Sequence, residues 1–305
     1  MEDRTNRVNR VYMQKYTMTA YEHFLKLVTM IGLVLAGLLL ASLLSGLVLL
    51  ANGFSFPEIM DMSQSGMANL SAGIMRALLF TQHLCMFIIP GFLFGMLVYH
   101  RDIWRELKLA RSPSLALAFL GIIFLIVSYP LVNLGFLLNE VMPLPSWAQN
   151  LEQEASETLK SVLDMNSPLI FFINLILIAI IPGIGEELVF RGIVQKHVGG
   201  WLKNPVIAIW VAAFIFSAMH LQFEGFIPRF ALGAILGYLY YWTNNLWVPI
   251  ITHAFNNGIQ VLAIYAFDMD LEAVDQPTED LQWWLIVLSV VFMYFIYSLI
   301  IKIRS

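Results

Sequence analysis

Residues 27–51 read LVTMIGLVLAGLLLASLLSGLVLLA, a run of 25 residues without one charged side chain. About 20 apolar residues in an α-helix are enough to cross the hydrocarbon core of a bilayer. The run is also far longer than the apolar region of a cleaved signal peptide, which has about 7 to 15 residues. It therefore predicts a first membrane span that stays in the protein.

Further apolar runs follow along the whole chain. Hydrophobic residues make up 59% of it and charged residues only 12%, about half the charged share of a soluble domain. Most of the apolar surface must therefore face lipid, and the chain is predicted to be an all-α polytopic membrane protein of about eight transmembrane helices. The predicted spans are residues 27–51, 77–99, 114–138, 168–184, 206–221, 228–242, 246–267 and 283–301.

The Lys and Arg residues are unevenly divided between the two sides of this predicted bundle. The segments on one side carry 14 of them, whereas those on the other carry three, Arg76, Lys160 and Arg229. By the positive-inside rule the richer side is the cytoplasm, and an even number of spans places both termini there. We therefore expect a multi-pass protein of the plasma or inner membrane, with membrane lipid as a partner.

Charge and cysteine content exclude other classes of protein. The net charge is -4, from 17 Lys and Arg against 21 Asp and Glu, so the chain offers no basic surface for DNA or RNA and no nucleic-acid partner is expected. Cys85 is the only cysteine. One chain can therefore form neither a disulfide nor a zinc site made of cysteines.

Four regions are predicted along the chain. Residues 1–26 form a cytoplasmic segment, and residues 27–166 hold the first three spans and an outer loop. Residues 167–267 form the core, which places the catalytic bundle in the C-terminal half, and residues 268–305 hold an acidic outer loop, the last span and a short cytoplasmic tail. The one long connection, residues 140–167, is expected to lie on the outer membrane surface.

Polar residues inside the C-terminal spans indicate a candidate site. A charged side chain in the bilayer costs roughly 3 kcal/mol on insertion scales, so such residues usually face the bundle interior and have a function. They occur in three stretches, which read GEELVFR at residues 185–191, FSAMH at 216–220 and HAFNN at 253–257.

Glu186 and Glu187 belong to the first stretch. Pro182 and Gly183 precede them, which predicts that the helix breaks and restarts with both carboxylates in its first turn, where the helix dipole favours negative charge. Adjacent helical residues point about 100° apart, so the two glutamates need different partners. The i, i+4 spacing predicts an ion pair between Glu187 and Arg191, which leaves Glu186 to face another helix. The alternative is a salt-bridged helix start without a catalytic role.

The second and third stretches contribute His220 and His253. His220 lies one helical turn after Phe216, and His253 lies one turn before Asn257, each pair on one helix face. A carboxylate with a histidine can deprotonate a water, and His and Asn side chains can donate hydrogen bonds to an oxyanion. Together with Glu186, these residues can support hydrolysis by water without a nucleophilic side chain.

Other interpretations of the same residues are open. Glu186, His220 and His253 can also ligate zinc with a free position for water, although the helical His-Glu-x-x-His spacing is absent. Zinc is the only cofactor that the residues suggest, and they do not require it. Either histidine alone is typical of a structural imidazole bonded to a carbonyl. A non-catalytic membrane scaffold is the rival class, but a scaffold has no need for costly polar groups in lipid.

The three stretches together resemble the CAAX-protease and bacteriocin-processing family of intramembrane endopeptidases, also called the Abi family. The matching patterns are Glu-Glu-x-x-x-Arg at 186–191, Phe-x-x-x-His at 216–220, and a longer pattern from Phe230 through Gly233, Gly237 and Pro249 to His253-x-x-x-Asn257. They cover roughly residues 168–265. The resemblance implies a protein or peptide substrate near the membrane, cleaved from a cavity that opens towards the cytoplasm.

The resemblance also implies a role for each motif residue. Glu186 and His220 activate the hydrolytic water, while His253 and Asn257 stabilise the oxyanion. Glu187 and Arg191 support the site by holding the helix and the first glutamate in place. Metal dependence is not decided, because the family has been described both as metalloproteases and as metal-independent glutamate peptidases.

Four further residues receive a structural interpretation. His83 and Cys85 lie in the second span without a neighbouring carboxylate, so both are predicted to be packing residues. Gly233 and Gly237 have the spacing of close helix packing in membranes.

The predicted depths of the site residues are in conflict. If the fifth span starts near Val206 on the inner side, His220 lies about 21 Å across the membrane, much deeper than Glu186 and His253. A common site requires either that the fourth helix continues through its break towards Val194 or that the fifth helix is strongly tilted.

Overall fold

The computed structural model describes residues 18–65, 70–267, 269 and 282–304. Within these residues the chain forms helices and no strand, which confirms an all-α polytopic membrane protein. The helical runs are α1 (Ala20–Ala51), α2 (Phe56–Ser65), α3 (Ala72–Glu106), α4 (Leu115–Glu140), α5 (Ser146–Val162), α6 (Pro168–Leu202), α7 (Pro205–Met219), α8 (Phe226–Thr243), α9 (Trp247–Phe267) and α10 (Trp283–Arg304).

Among the described residues, five helices are long and apolar enough to cross a membrane, namely α1, α3, α4, α6 and α10. The other three predicted spans lie in α7, α8 and α9, and α7 has only 15 residues. Helix α8 packs against α4, α7 and α9, so neighbouring helices rather than lipid cover much of its surface. The fold class is therefore confirmed, while the number of eight spans stays a prediction.

Side-chain caps explain where several helices begin. At the start of α4 the Ser114 hydroxyl accepts a hydrogen bond from the Leu117 amide at 3.2 Å. At the start of α7 the Asn204 carboxamide oxygen accepts from the amides of Val206 and Ile207 at 3.0 and 3.1 Å. These caps satisfy backbone donors that the first turn of a helix leaves without an intrahelical partner.

Helix α6 does not break before the two glutamates, so that part of the sequence prediction is wrong. It runs for 35 residues and contains two π-helical segments, Leu175–Ile180 and Phe190–Gln195, on either side of the α-helical segment Ile181–Val189. Pro182 has no N–H for the Ile178 carbonyl four residues earlier, and that carbonyl accepts from Nδ2 of Asn257 on α9 instead. Glu186 is consequently near the middle of a continuous helix, which confirms the alternative in which the fourth helix continues past Val194.

Glycines in α6 allow its neighbours to approach closely around the glutamates. A Cβ atom added at Gly183 would lie 3.1 Å from the Ala254 Cβ on α9. One added at Gly185 would lie 3.0 Å from side-chain atoms of Phe87 and Ile88 on α3. The centre of α6 is thus held between α3 and α9.

The predicted close packing at Gly233 and Gly237 is confirmed. A Cβ atom at Gly233 would lie 3.1 Å from the Cα of Ala213, and one at Gly237 would lie 2.9 Å from a methyl group of Ile209, both on α7. The second motif, on α7, is thereby brought close to the bundle centre.

Two other sequence predictions change. Arg191 is buried, with 1% of its side chain exposed, so it is a core residue rather than one of the positive charges that decide orientation. The inner side loses one charge from its count, and its excess of Lys and Arg persists. The connection 140–167, which is predicted to lie on the outer side, is largely helical, since it contains α5. The predicted acidic loop 268–280 and the first 17 residues lie outside the described residues except for Met269.

Candidate active site

Glu186 lies at the meeting point of four helices. Its side chain is 5% exposed, and three imidazoles surround it. The Oε1 atom is 3.5 Å from Nε2 of His83 on α3, while Oε2 is 4.0 Å from Nε2 of His220 at the end of α7 and 3.9 Å from Nε2 of His253 on α9. Two residues predicted to act with Glu186 are therefore beside it, together with one that was not.

The opposite nitrogen of each imidazole is bonded to an acceptor. Nδ1 of His83 lies 3.1 Å from the Leu79 carbonyl, and Nδ1 of His220 lies 2.7 Å from the Phe216 carbonyl. Because a carbonyl only accepts, each Nδ1 must carry the proton, and Nε2 of the neutral ring is then an acceptor. Each Nε2 therefore accepts a hydrogen bond while its ring is neutral, and donates to the Glu186 carboxylate when the ring is protonated.

Glu187 has a separate and fully buried set of partners. Its Oε1 atom accepts from Nη1 of Arg191 at 2.7 Å and from Nδ1 of His253 at 2.8 Å. Nη2 of Arg191 donates to the Gly233 carbonyl at 2.9 Å. The predicted i, i+4 ion pair is thus present, and it extends into a chain that holds His253 by Glu187 and ties α6 to α8.

Phe216 packs at the centre of these polar groups. Its ring lies 4.9 Å from the His220 ring and 5.8 Å from the His253 ring, in edge-on geometry. The Arg191 guanidinium carbon lies 4.8 Å from the ring centre, within the range of a cation–π contact. The first residue of the Phe-x-x-x-His pattern thereby supports both histidines and the buried arginine.

Asn257 lies one helical turn beyond His253 on α9. Its Nδ2 atom donates to the Ile178 carbonyl at 3.0 Å, and its Oδ1 atom accepts from Asn256 at 3.1 Å. Ile178 lies four residues before Pro182, which has no N–H, so its carbonyl lacks the usual i+4 backbone donor. These two hydrogen bonds connect the Asn257 side chain to Asn256 and to α6 about two turns before Glu186. Neither of them involves the Glu186 carboxylate.

His83 was wrongly interpreted as a packing residue without a carboxylate nearby. The carboxylate comes from a distant part of the chain, which a search along the sequence does not detect. The available signal was the general rule that an ionisable residue inside a membrane span has a functional partner. Cys85, on the same helix, is fully buried and is not among the contacts of the site, in agreement with a packing role.

The separations around Glu186 are wide for a zinc site. Two ligand atoms on tetrahedral zinc lie about 3.3 Å apart, given metal-to-ligand distances of about 2.0 to 2.1 Å. Glu186 Oε2 is 4.0 and 3.9 Å from the two Nε2 atoms. In the part of the chain that the structure describes, no group of three His, Cys, Asp or Glu side chains has the spacing of a metal site. The side chains as placed do not fit a zinc ion.

A cavity of about 260 Å³ lies near the predicted cytoplasmic end of α6. It is lined by residues of α6, α8 and their neighbouring loops, among them Lys108, Gln195, Lys196 and Tyr240. None of the six motif residues lines it. The expected active-site cavity that opens towards the cytoplasm stays a prediction.

The fold and this cluster define a polytopic α-helical membrane protein with a buried Glu/His site. The profile of the Rce1-like type II CAAX prenyl endopeptidases matches residues 168–259, the segment that carries all three motifs. Over this segment the chain is similar to these endopeptidases, in agreement with the resemblance that the three motifs carry.

Two curated relatives are similar to the chain over shorter segments. The uncharacterized protein YpbD of Bacillus subtilis (strain 168) is 30% identical over 111 residues, which are 35% of this chain and 51% of the relative. The membrane-embedded CAAX protease MroQ of Staphylococcus aureus (strain USA300) is 36% identical over 99 residues, 30% of this chain and 38% of the relative. The chain thus spans about half or less of these relatives, and no solved structure matches it significantly.

Proposed function

We propose that this protein is an intramembrane endopeptidase that hydrolyses a peptide bond in a membrane-associated protein or peptide, with Glu186 as the general base. One observation carries the proposal. Glu186 Oε2 is a buried oxygen that accepts no hydrogen bond from the described protein groups and faces Nε2 of both His220 and His253, whereas the Glu187 carboxylate is already bonded to Arg191 and His253. A carboxylate oxygen in such a place serves as an acceptor for a donor that enters the site.

Water is the donor that suits these distances. Separations of 4.0 and 3.9 Å exceed a direct hydrogen bond, and polar atoms at such distances are commonly bridged by one water. In the proposed step, this water gives a proton to Glu186 Oε2 while its oxygen attacks the carbonyl carbon of the scissile bond. His220 Nε2 accepts a hydrogen bond from the other hydrogen of the water and so orients it. Nε2 is free to accept because the ring proton is on Nδ1, which is bonded to the Phe216 carbonyl.

The other site residues act on the carbonyl oxygen, which becomes an oxyanion. His253 takes up a proton from solvent water before the attack and keeps it through the step, so its Nε2–H donates to that oxyanion while the Glu187 carboxylate beside Nδ1 balances the added charge. Asn257 offers the N–H of its amide that is not bonded to Ile178. Collapse of the intermediate breaks the C–N bond, and the leaving amine takes the proton held by Glu186.

The substrate class is suggested by the names of the similar proteins. Both the matching family profile and the staphylococcal relative are named for the CAAX sequence, a C-terminal Cys followed by two aliphatic residues and one variable residue. We therefore use a farnesylated CAAX peptide with an internally quenched fluorophore as the first substrate probe, beside the same peptide without the lipid.

The test compares the full chain with its Glu186→Gln variant in detergent or nanodiscs. Glutamine keeps the shape of the side chain and cannot take up the proton, so the cleavage rate should fall by about 10² to 10⁴. Glu154→Gln, an exposed residue on α5, is the matched control and should cleave as the wild type does. Full cleavage by Glu186→Gln contradicts the mechanism, whereas a wild-type protein that cleaves neither peptide contradicts the proposed substrate class.

Zinc is the alternative that metal analysis distinguishes. The measurement is the metal content of protein purified without added zinc, compared with the His220→Ala/His253→Ala double variant. About one zinc per chain that is lost in the double variant supports zinc ligation after a small closure of the site. Cleavage by metal-free protein supports the mechanism written above. A non-catalytic scaffold differs from both kinds of peptidase in one respect. Replacing all four proposed catalytic residues by alanine would leave its cellular phenotype unchanged; they are Glu186, His220, His253 and Asn257.

A further inference from the structure

His83 lies outside the segment that matches the family profile, on a helix that carries none of the three motifs. We infer that His83 is a positioning residue for Glu186: as an imidazolium it donates from Nε2 to Oε1, so that Oε2 points towards His220 and His253. The inference rests on the proposed role of Glu186 as the general base. It concerns a contact between α3 and α6 that the three motifs do not indicate.

The geometry around Glu186 divides the carboxylate between two sets of partners. His83 Nε2 is nearest to Oε1, at 3.5 Å, whereas both other imidazoles are nearest to Oε2, at 4.0 and 3.9 Å. His83 is thus the closest of the three imidazoles, and it contacts the oxygen that is not proposed to bind the water.

The His83 ring is itself held in place. Its Nδ1–H donates to the Leu79 carbonyl one turn earlier on α3, at 3.1 Å. The ring also lies 5.9 Å from the Phe87 ring. A π-helical segment, Leu84–Ile88, starts directly after His83 and packs against the α6 segment that contains Glu186. These contacts keep Nε2 directed at Oε1.

A glutamate base needs such a contact because its carboxylate rotates freely. The last side-chain torsion of glutamate is broad and nearly two-fold, so burial alone does not select which oxygen faces the substrate. A displacement of about 1 Å in a reacting group can cost about 10²-fold in rate. A partner on Oε1 removes this freedom while leaving Oε2 open to water.

The experiment uses the full chain and the farnesylated peptide, with variants His83→Ala, His83→Leu and His83→Gln. Loss of a supporting partner typically costs about 10- to 100-fold, and we expect the Ala and Leu variants to lose that much kcat while KM changes by less than about two-fold. His83→Gln should recover part of kcat, because its amide N–H can donate to Oε1. Added imidazole should raise kcat of His83→Ala and leave His83→Leu unchanged.

Cys85→Ala is the matched control, since Cys85 lies on the same helix, is buried and is not among the contacts of the site. It should keep wild-type kcat, and all variants are compared by thermal unfolding. Wild-type kcat in both His83→Ala and His83→Leu overturns the inference. Equal losses in all three His83 variants, in step with a lower unfolding temperature and without imidazole rescue, also overturn it in favour of packing alone.

The same series separates this inference from the proposed function. Glu186→Gln is assayed beside the His83 variants. If Glu186→Gln still cleaves at the wild-type rate, the proposed mechanism fails and the positioning role fails with it. If Glu186→Gln is inactive while His83→Ala and His83→Leu match the wild type, only the role of His83 is overturned.

Discussion

Glu186 and Glu187 are adjacent in the chain, and their carboxylates have different surroundings. Glu187 is fully buried and paired through Oε1 with Arg191 and His253, whereas Glu186 has three imidazoles around it. Among the described residues, Oε2 of each glutamate is buried without a hydrogen-bond donor, but only Oε2 of Glu186 lies within 4.0 Å of two imidazoles. The helical angle of about 100° between neighbours directs the two side chains to different helices. This division allows one carboxylate to be structural and the other to take part in chemistry.

The buried ion pair leads to a prediction at the level of single residues. Arg191→Leu leaves the Glu187 carboxylate buried without its cation, and breaking such a pair costs about 3 to 5 kcal/mol of stability. The double variant Arg191→Leu/Glu187→Leu removes both charges and should recover most of that loss. It should still cleave slowly, because His253 Nδ1 has lost its acceptor.

Thermal unfolding in detergent measures the stability, and the fluorescent peptide measures the rate. Arg304→Leu, an exposed residue in the last turn of α10, is the control and should unfold as the wild type does. A single variant as stable as the wild type, or a double variant no more stable than the single one, would contradict the buried-pair argument.

At the level of elements, α6 is one continuous helix that contains two π-helical segments. Two π-helical segments flank the glutamates, and such segments are frequent at functional sites because they change which backbone groups are free to bond. The Ile178 carbonyl, whose partner four residues later is Pro182 without an N–H, accepts from Asn257. The first of these segments thus connects α6 to α9 without interrupting α6.

Close contact between α6 and α9 gives a prediction for Gly183. Valine there would push against Ala254, the residue after His253, and overpacking of this kind costs about 1 to 3 kcal/mol. Cleavage should fall as well, because α9 carries His253 away from Glu186. Gly46→Val on α1 is the matched control, since a Cβ atom at Gly46 meets nothing within 4 Å. Equal stability and rate of the two variants would refute the close-packing role.

For the molecule as a whole, the site is assembled from four helices that are far apart in sequence. His83 comes from α3, Glu186 from α6, His220 from α7 and His253 from α9. Since α3 lies outside the segment that matches the family, the first half of the chain contributes to the candidate site as well as to the membrane anchor.

Orientation in the membrane is a prediction at this same scale, and the single cysteine makes it testable. In right-side-out vesicles, a membrane-impermeant maleimide should label Glu154→Cys on α5, because the positive-inside rule places this exposed residue outside. Arg105→Cys, exposed at the end of α3, should react only in inverted vesicles. The wild type is the control, since Cys85 is buried and should stay unlabelled in both. The reverse labelling pattern would invert the proposed topology.

Much of the fold could be predicted from the sequence because lipid restricts the choices. Long uncharged runs predict helices, and each of the eight predicted spans lies within a helical segment, except for at most two residues at its ends. Polar residues in such runs are costly, so the motif positions Glu186, Glu187, His220 and His253 were found as candidates. The pair between Glu187 and Arg191 was predicted because its i, i+4 geometry is a local property of one helix.

The tertiary structure alone decided the rest, because the rotation and close approach of helices depend on packing between distant segments. It placed His83 beside Glu186 and His253 on Glu187, contacts that no spacing along the chain encodes. It also kept α6 continuous at Pro182, where the local preference for a break is overridden by the packing of α3 and α9 against the helix. The sequence by itself thus determined which residues are costly in the membrane, and packing determined which of them meet.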